Sequence, residues 1–355
     1  MNIYMMAPIG STGYGYASLN ILKSLVSNNN QVGLSIIGNP SLESQEEADI
    51  IQQCINTISH IPYDSACLKI WHQFDLLTKP GKGKYFAFPF FEVDSFNSRE
   101  IHSLQFPDEI IVSSSWAKQI LQQNKIDKPI HVVPLGVDLS KFNYQQQNKT
   151  KNSNDKYIFC TIGKWEKRKA HDIIIKCFNS AFENTDNVEL WMVTHNPFLN
   201  KTEEHSWLQQ IESCKLKSKI KVFPRLKDHN TVAEIISYSN CGIYISRGEG
   251  WNMELLETMA MNKPVIVSDY SAHTEYCNKD NSFLVDMTET EPAIDNKWFF
   301  GQSNWGKIDQ NQIDQTIEYM RYCYKNHITN NENGLNTAKQ LTWKNTCDML
   351  VGCMT

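Results

Sequence analysis

The chain has no apolar run approaching the roughly 20 residues that a membrane-spanning helix needs, so stable membrane insertion is not expected. Ten cysteines are scattered from Cys54 to Cys353 without one C-x-x-C pair. That excludes both a zinc spacing and a compact disulfide framework, and it fits a reduced, cytoplasmic compartment. The opening Met1-Asn2-Ile3-Tyr4-Met5-Met6-Ala7 lacks the basic start of a signal peptide and reads as a buried strand. Charge of one sign is also scarce: Lys+Arg 34 against Asp+Glu 39 gives a net −5. Up to Ser140 the count is 9 against 13, a net −4, which argues against a broad nucleic-acid or anionic-lipid surface. No carboxylate cluster demands a metal, and no clean G-x-G-x-x-G is present.

What the chain does have is length for two cores and a repeated alternation of strand and helix patterns. In the first half Ile3–Ala7, Gln31–Ile37, Cys67–Trp71, Lys84–Phe88, Glu109–Val112 and Ile130–Val133 read as buried strands. Helices are expected over Ala17–Leu25, Glu46–Ile58 and Ser115–Leu121. A polar run from Asn143 to Asp155 has almost nothing to bury and reads as a linker. The alternation restarts with strands at Tyr157–Ile162, Val188–Val193, Ile220–Phe223, Cys241–Ile245 and Val265–Val267, and ends in helices over Ile313–Asn326 and Asn336–Val351. Short buried strands alternating with helices imply parallel sheets covered on both faces. The expected layout is a first domain at 1–142, a linker at 143–156, a second domain at 157–335 and a last helix at 336–355. Two Rossmann-like domains would face a central cleft at the carboxyl ends of their strands.

The densest chemistry is Ser246-Arg247-Gly248-Glu249-Gly250-Trp251-Asn252-Met253-Glu254-Leu255-Leu256-Glu257. An apolar strand precedes it, and Met253, Leu256, Met259 and Ala260 follow at helical spacing. Glu249 therefore lies in a strand-to-helix turn, with Glu257 about two turns into the helix. Gly250 permits close backbone approach, and free N–H groups near Asn252 and Met253 suit a phosphate or a hydroxyl. Carboxylates accept hydroxyl hydrogen bonds, so one site offers both functions.

A second cluster, Gly163-Lys164-Trp165-Glu166-Lys167-Arg168-Lys169-Ala170, follows the first strand of the second domain. Cations at a helix N-terminus oppose the helix dipole. An anion held between them would explain the arrangement. In the first domain, Gly10-Ser11-Thr12-Gly13-Tyr14-Gly15 is a glycine turn between strand and helix, and it suits a phosphate or a dinucleotide. His72 and Glu92 stand at strand ends. The aromatics Trp298, Phe299, Phe300 and Trp305 read as a packed interdomain loop in preference to a sugar platform, the other reading they allow.

These motifs resemble the family-4 retaining glycosyltransferases (glycosyl transferases group 1), whose fold is GT-B. There a Glu, seven residues and a second Glu bracket a Gly-aromatic-Gly turn; here the second Gly is Asn252, a good helix cap. The family's Gly-Arg, four residues, Lys-Gly places its Arg on Lys164 and its Lys on Lys169, with Ala170 in place of Gly. The segments Pro107–Ala117, Ile130–Asp138 and Pro264–Asp269 continue the match along nearly the whole chain.

The resemblance implies a retaining enzyme of the hexosyltransferase type. It would move a sugar from a UDP- or GDP-sugar to an acceptor hydroxyl, with no metal and no cofactor. It implies catalytic roles for Lys164 and Lys169 on the leaving diphosphate and for Glu249 on the donor sugar. Gly250, Trp251, Asn252 and Met253 would orient that sugar, Glu257 would bind ribose, and Arg225 and Leu226 the nucleobase. Gly13, Tyr14 and Gly15 would approach the donor phosphate and the acceptor, and the last helix would cross back to the first domain. His72 and Glu92 are candidates to face the reacting sugar by their place at strand ends, not by the resemblance. Many members carry His about where Glu92 stands. The acceptor, a glycan or another hydroxyl compound, cannot be read. Rival readings are a nucleotide-sugar epimerase of the same architecture, a Rossmann oxidoreductase, a non-catalytic nucleotide-sugar sensor, and a phage-type DNA glucosyltransferase, which the acidic first domain disfavours.

Overall fold

The computed structural model describes residues 1–11, 13–144 and 156–355. The linker expected at 143–156 lies almost entirely outside the described residues. The chain divides into two compact units, Met1–Gly136 with Leu341–Thr355, and Val137–Gln340. The boundaries thus fall at 136/137 and 340/341 rather than at 142 and 335.

The first unit is one parallel sheet in the order β2-β1-β3-β4-β5-β6. Its strands are β1 (Asn2–Ala7), β2 (Gln31–Ile36), β3 (Ala66–Lys69), β4 (Tyr85–Ala87), β5 (Glu109–Val112) and β6 (Ile130–Val132). Helices α1 (Gly13–Ser27), α2 (Gln45–Thr57), α3 (Ser98–Leu104) and α4 (Ser115–Gln123) connect them. Capping is explicit in the sequence: Ser44 and Ser114 accept from the third backbone N–H of α2 and α4, and Asn97 with Glu100 makes a full capping box on α3. Helix α1 starts at Gly13, four residues before the helix expected from Ala17. Gly13-Tyr14-Gly15 is therefore its first turn and not a free loop. Gly15 has a packing reason, since a Cβ there would stand 2.6 Å from the Gly10 nitrogen.

The second unit is a parallel sheet in the order β12-β11-β10-β7-β8-β9. Its strands are β7 (Tyr157–Ile162), β8 (Val188–Val193), β9 (Ile220–Val222), β10 (Cys241–Tyr244), β11 (Val265–Asp269) and β12 (Phe283–Asp286). All six residues of β7 are buried, which is why it reads as an apolar run, broken by Thr161 alone, between two neighbours. The edge strand β9 instead exposes Lys221 and Val222. Helices α5 (His171–Ala181), α6 (Lys201–Glu212), α7 (His229–Tyr238), α8 (Met253–Ala260) and α9 (Gln310–Lys325) belong to this unit, as does α10 (Glu332–Gln340). Phe159, Phe178, Phe182, Leu190 and Ile243 are among the residues of its core.

Two expectations need correction here. The segment 285–308 is not a packed loop but contains an antiparallel hairpin, β13 (Thr290–Ile294) and β14 (Phe300–Gly306). Of its four aromatics, Trp305 alone is buried, whereas Trp298 and Phe300 are exposed. The helix expected over Asn336–Val351 is two helices, α10 and α11 (Trp343–Met354). Thr342 breaks them: its backbone is extended and its hydroxyl caps α11 by accepting from Asn345 N–H. In the first unit α11 lies on α1, where Ser24 Oγ donates to the Trp343 carbonyl at 3.0 Å.

Candidate functional site

Each sheet reverses direction once. In the second unit the chain runs outward through β7, β8 and β9, then returns to place β10 on the other side of β7. The switch point between β7 and β10 is where open α/β sheets bind ligands, because adjacent loops diverge there. The turn Gly163–Ala170 follows β7 and the turn Ser246–Asn252 follows β10, so the topology brings both charged motifs to one place.

The side chains meet there. Glu249 Oε2 lies 2.7 Å from Arg168 Nη1, and its Oε1 lies 3.1 Å from Lys169 Nζ. Ser246 Oγ also donates to Oε1 at 2.8 Å, and the Glu249 N–H donates to Ser271 Oγ at 2.9 Å. Arg168 also donates to the Gly248 carbonyl at 2.6 Å and pairs with Glu166 at 2.9 Å. Glu249, Arg168 and Lys169 are all buried. Burial opposes the charge of Glu249, yet Arg168 and then Lys169 outweigh it, and the carboxyl titrates far below the usual carboxylate range. Burial likewise opposes the Lys169 charge, and Glu249 followed by Glu254 pushes its pKa above the ordinary lysine value. Glu249 and Glu166 thus supply part of the negative charge that the basic cluster faces.

Two backbone positions carry the departures from the family pattern. Ala170, the residue before α5, sits at φ 54°, and Asn252, the N-cap of α8, sits at φ 81°. Both are left-handed positions where glycine is unstrained. Asn tolerates this region and its side chain accepts from Leu255 N–H at 3.2 Å. Ala has no such compensation. Gly163, at φ 138°, has a backbone conformation that strains any other L residue, and a Cβ there would also stand 2.7 Å from Lys169 Cδ.

His273 completes the turn. Its Nδ1 faces the Ser268 carbonyl at 3.1 Å, so Nδ1 carries the proton, and its Nε2 accepts from Asn252 Nδ2 at 2.9 Å. Burial chiefly, against the pull of Glu249, holds its pKa down to about 4. His171, first in α5, is pushed down to about 3 by burial and then by Lys169.

The other expected residues are placed as follows. Lys164 does not join Lys169 on Glu249. It is half-buried, pairs with Glu166 at 3.0 Å and lies over the Phe198 ring at 5.2 Å. Glu257 is buried on α8, Gly250 is buried, and Trp251 is buried against Tyr276 with centroids 4.7 Å apart. Met253 and Leu226 are half-buried and Arg225 is exposed. Arg168, Glu166, Ser246, Ser271 and His273 are the residues that sequence reasoning left out of the site.

In the first unit the switch point falls between β1 and β3, and it gathers Tyr14, His72 and Glu92. The Tyr14 hydroxyl donates to the Phe90 carbonyl at 2.6 Å and accepts from Phe90 N–H at 2.9 Å. Its ring lies 4.6 Å from His72 and 5.7 Å from Trp71. Burial first, then the charge of Glu92, raises the Tyr14 pKa well above the ordinary value. His72 stacks on Phe74 at 5.0 Å with 9° between planes. Among the described residues, no group of three or more His, Cys, Asp or Glu is placed to hold a metal ion, and no helix is long and apolar enough to cross a membrane.

Residues 143–296 match the family model Glycosyl transferases group 1. An uncharacterised glycosyltransferase of Methanocaldococcus jannaschii is 23% identical over 172 residues, covering 46% of this chain and 40% of that protein. The match thus spans well under half of that relative's length. Among solved structures, sucrose-phosphate synthase of Thermosynechococcus elongatus is similar at 14% identity and a TM-score of 0.70, over 99% of this chain and 98% of that one. A glycosyltransferase of Rickettsia africae is similar at 14% identity and 0.71, over 99% and 97%. Anabaena HepE, solved with UDP and glucose, is similar at 13% identity and 0.70, over 100% and 99%. The fold is GT-B, with two Rossmann-like units, and the findings together support a GT-B glycosyltransferase.

Proposed function

We propose that the protein is a retaining, metal-independent glycosyltransferase of the hexosyl type. It moves a sugar from a UDP- or GDP-sugar to an acceptor hydroxyl. The observation that carries this reading is the buried Arg168–Glu249–Lys169 network at the switch point of the second sheet. Charge grows on the leaving diphosphate in the transition state, and preorganised cations facing that charge are the main electrostatic contribution. Lys169, held charged, supplies one, and Lys164 supplies a more exposed second. Glu249 orients Lys169 and Arg168 as well as the sugar. A carboxylate has about four acceptor positions. Ser246, Lys169 and Arg168 take three, leaving about one for a single sugar hydroxyl. Glu257 binds ribose. The UDP and glucose in the similar HepE structure support a UDP-sugar donor.

A panel of UDP-, GDP- and ADP-sugars scored by the shift in Tm identifies the donor. With it, Glu249→Gln is expected to lower kcat about ten- to hundredfold without weakening nucleoside diphosphate binding, because its loss is felt in the transition state. Glu257→Gln is expected to weaken that binding instead. The assay is expected to keep its rate in EDTA. If Glu249→Gln abolishes nucleotide affinity while Glu257→Gln leaves it intact, the roles are wrong. Product formed without any acceptor points to an epimerase.

A further inference from the structure

The second unit exposes two aromatic rings side by side. Phe198, in the loop after β8, and Trp298, at the tip of the β13–β14 hairpin, are 54% and 51% exposed. Their rings meet edge to face at 85°, with centroids 5.9 Å apart. The backbone beneath each ring is fastened. Asp295 Oδ1 accepts from the N–H groups of Lys297, Trp298 and Phe299 at 2.8–2.9 Å, which builds the hairpin turn. Lys297 then pins that turn to α6 through both oxygens of Glu203, at 2.9 and 2.8 Å. Phe198 N–H donates to Asn196 Oδ1 at 3.0 Å, and the buried Asn196 donates to the Trp165 carbonyl at 2.9 Å.

The hairpin is also fastened to the charged turn. Arg247, two residues before Glu249, donates through Nη1 to the Lys167 carbonyl at 2.6 Å and through Nε to Glu291 on β13 at 3.0 Å. Gly306 N–H at the end of β14 donates to the Arg247 carbonyl at 2.7 Å. The aromatic pair therefore has a fixed place relative to Glu249. The two lysines beside the rings each have a carboxylate partner, Glu166 for Lys164 and Glu203 for Lys297. Trp298 lies just beyond the residues 143–296 that match the family model.

The geometry points to Trp298, with Phe198 packed against it at 85°, as a stacking site for a pyranose chain, the acceptor of the transfer. A pyranose has a face of C–H groups that packs on an aromatic face, and a belt of hydroxyls that meets the paired charges beside it. The term acceptor rests on the glycosyltransferase reading, whereas the stacking itself does not.

The test titrates maltohexaose, cellohexaose and chitohexaose, and separately UDP and GDP, into the wild-type chain, Trp298→Ala and Trp298→Phe by calorimetry. At least one hexasaccharide is expected to bind wild type. Trp298→Ala is expected to weaken it about tenfold or more, and Trp298→Phe to stay within about threefold. Nucleotide affinity is expected to be equal in all three. No hexasaccharide bound by wild type, or equal binding by Trp298→Ala, overturns the platform. A parallel loss of nucleotide affinity in Trp298→Ala assigns the rings to the nucleobase and overturns it too. Hexasaccharide binding without any nucleotide binding by wild type upholds the platform and sinks the donor assignment.

Discussion

The two switch points are built from the same topology and opposite materials. At β7/β10 the turns contribute Arg168, Lys169 and Glu249, all buried and all charged, in contact with one another. At β1/β3 they contribute Tyr14, Trp71 and His72, half-buried rings with Glu92 as the charged neighbour. A buried charge network is stable only when every member is present. A half-open aromatic cluster tolerates change. The second unit thus carries a closed, charged site and the first a half-open aromatic one.

The largest expected effect follows from that difference. Glu249→Ala leaves Arg168 and Lys169 buried without their main partner and is expected to cost about 3–5 kcal/mol. Glu92→Ala is expected to cost about 1 kcal/mol or less. Urea unfolding of the two variants measures both, and equal costs would break the comparison.

Acid is expected to discriminate next. His171 and His273 are held neutral in the fold, at about 3 and about 4, against an ordinary 6.5. As pH falls below that value the unfolded chain takes up protons that the folded chain refuses. Stability present above pH 6.5 is therefore lost progressively, at about 1.4 kcal/mol per pH unit for each histidine. The loss ends near pH 4 for His273 and near pH 3 for His171. Glu249, whose folded pKa is depressed, adds its loss only below about pH 4. None of His60, His72, His102 and His131 in the first unit is fully buried. Hydrogen exchange at pH 7 and pH 5 should therefore show the second unit loosening first, and His273→Gln should halve the acid slope. Loosening of the first unit ahead of the second would contradict this.

The smallest effect is a gain. Ala170→Gly relieves a left-handed alanine and is expected to stabilise by about 1 kcal/mol. Asn252→Gly, at the other left-handed position, gives up a cap and is expected to stabilise nothing. Thermal melts of both variants check the pair.

The alternation of buried strands and helices was legible because central strands such as Tyr157–Ile162 are apolar on both faces. Glu249 and Lys169 were legible because each lies in the turn after such a strand. Arg168 was not. Four cations share one turn, and no pattern says that Arg168 and Lys169 turn inward while Lys164 stays half-buried and Lys167 exposed. The hairpin was hidden by Pro292 and Gly301, which argue against strands, and by a turn built on Asp295 without an Asn-Gly pair. His273 reaches the turn from over 20 residues downstream, a distance at which periodicity carries no signal. The break between α10 and α11 had only Thr342 as its sign, with no glycine or proline beside it.

The most direct test of the account is a calorimetric titration of UDP and GDP into the wild-type chain and Lys169→Ala. Lys169 is the buried cation that the fold holds charged beside Glu249, and a lost charge-assisted contact of about 1.5–3 kcal/mol corresponds to about ten- to hundredfold in affinity. The account predicts that one of the two nucleotides binds wild type and that Lys169→Ala binds it weaker by that factor. Equal affinity in the two proteins would contradict the claim that this switch point holds a diphosphate.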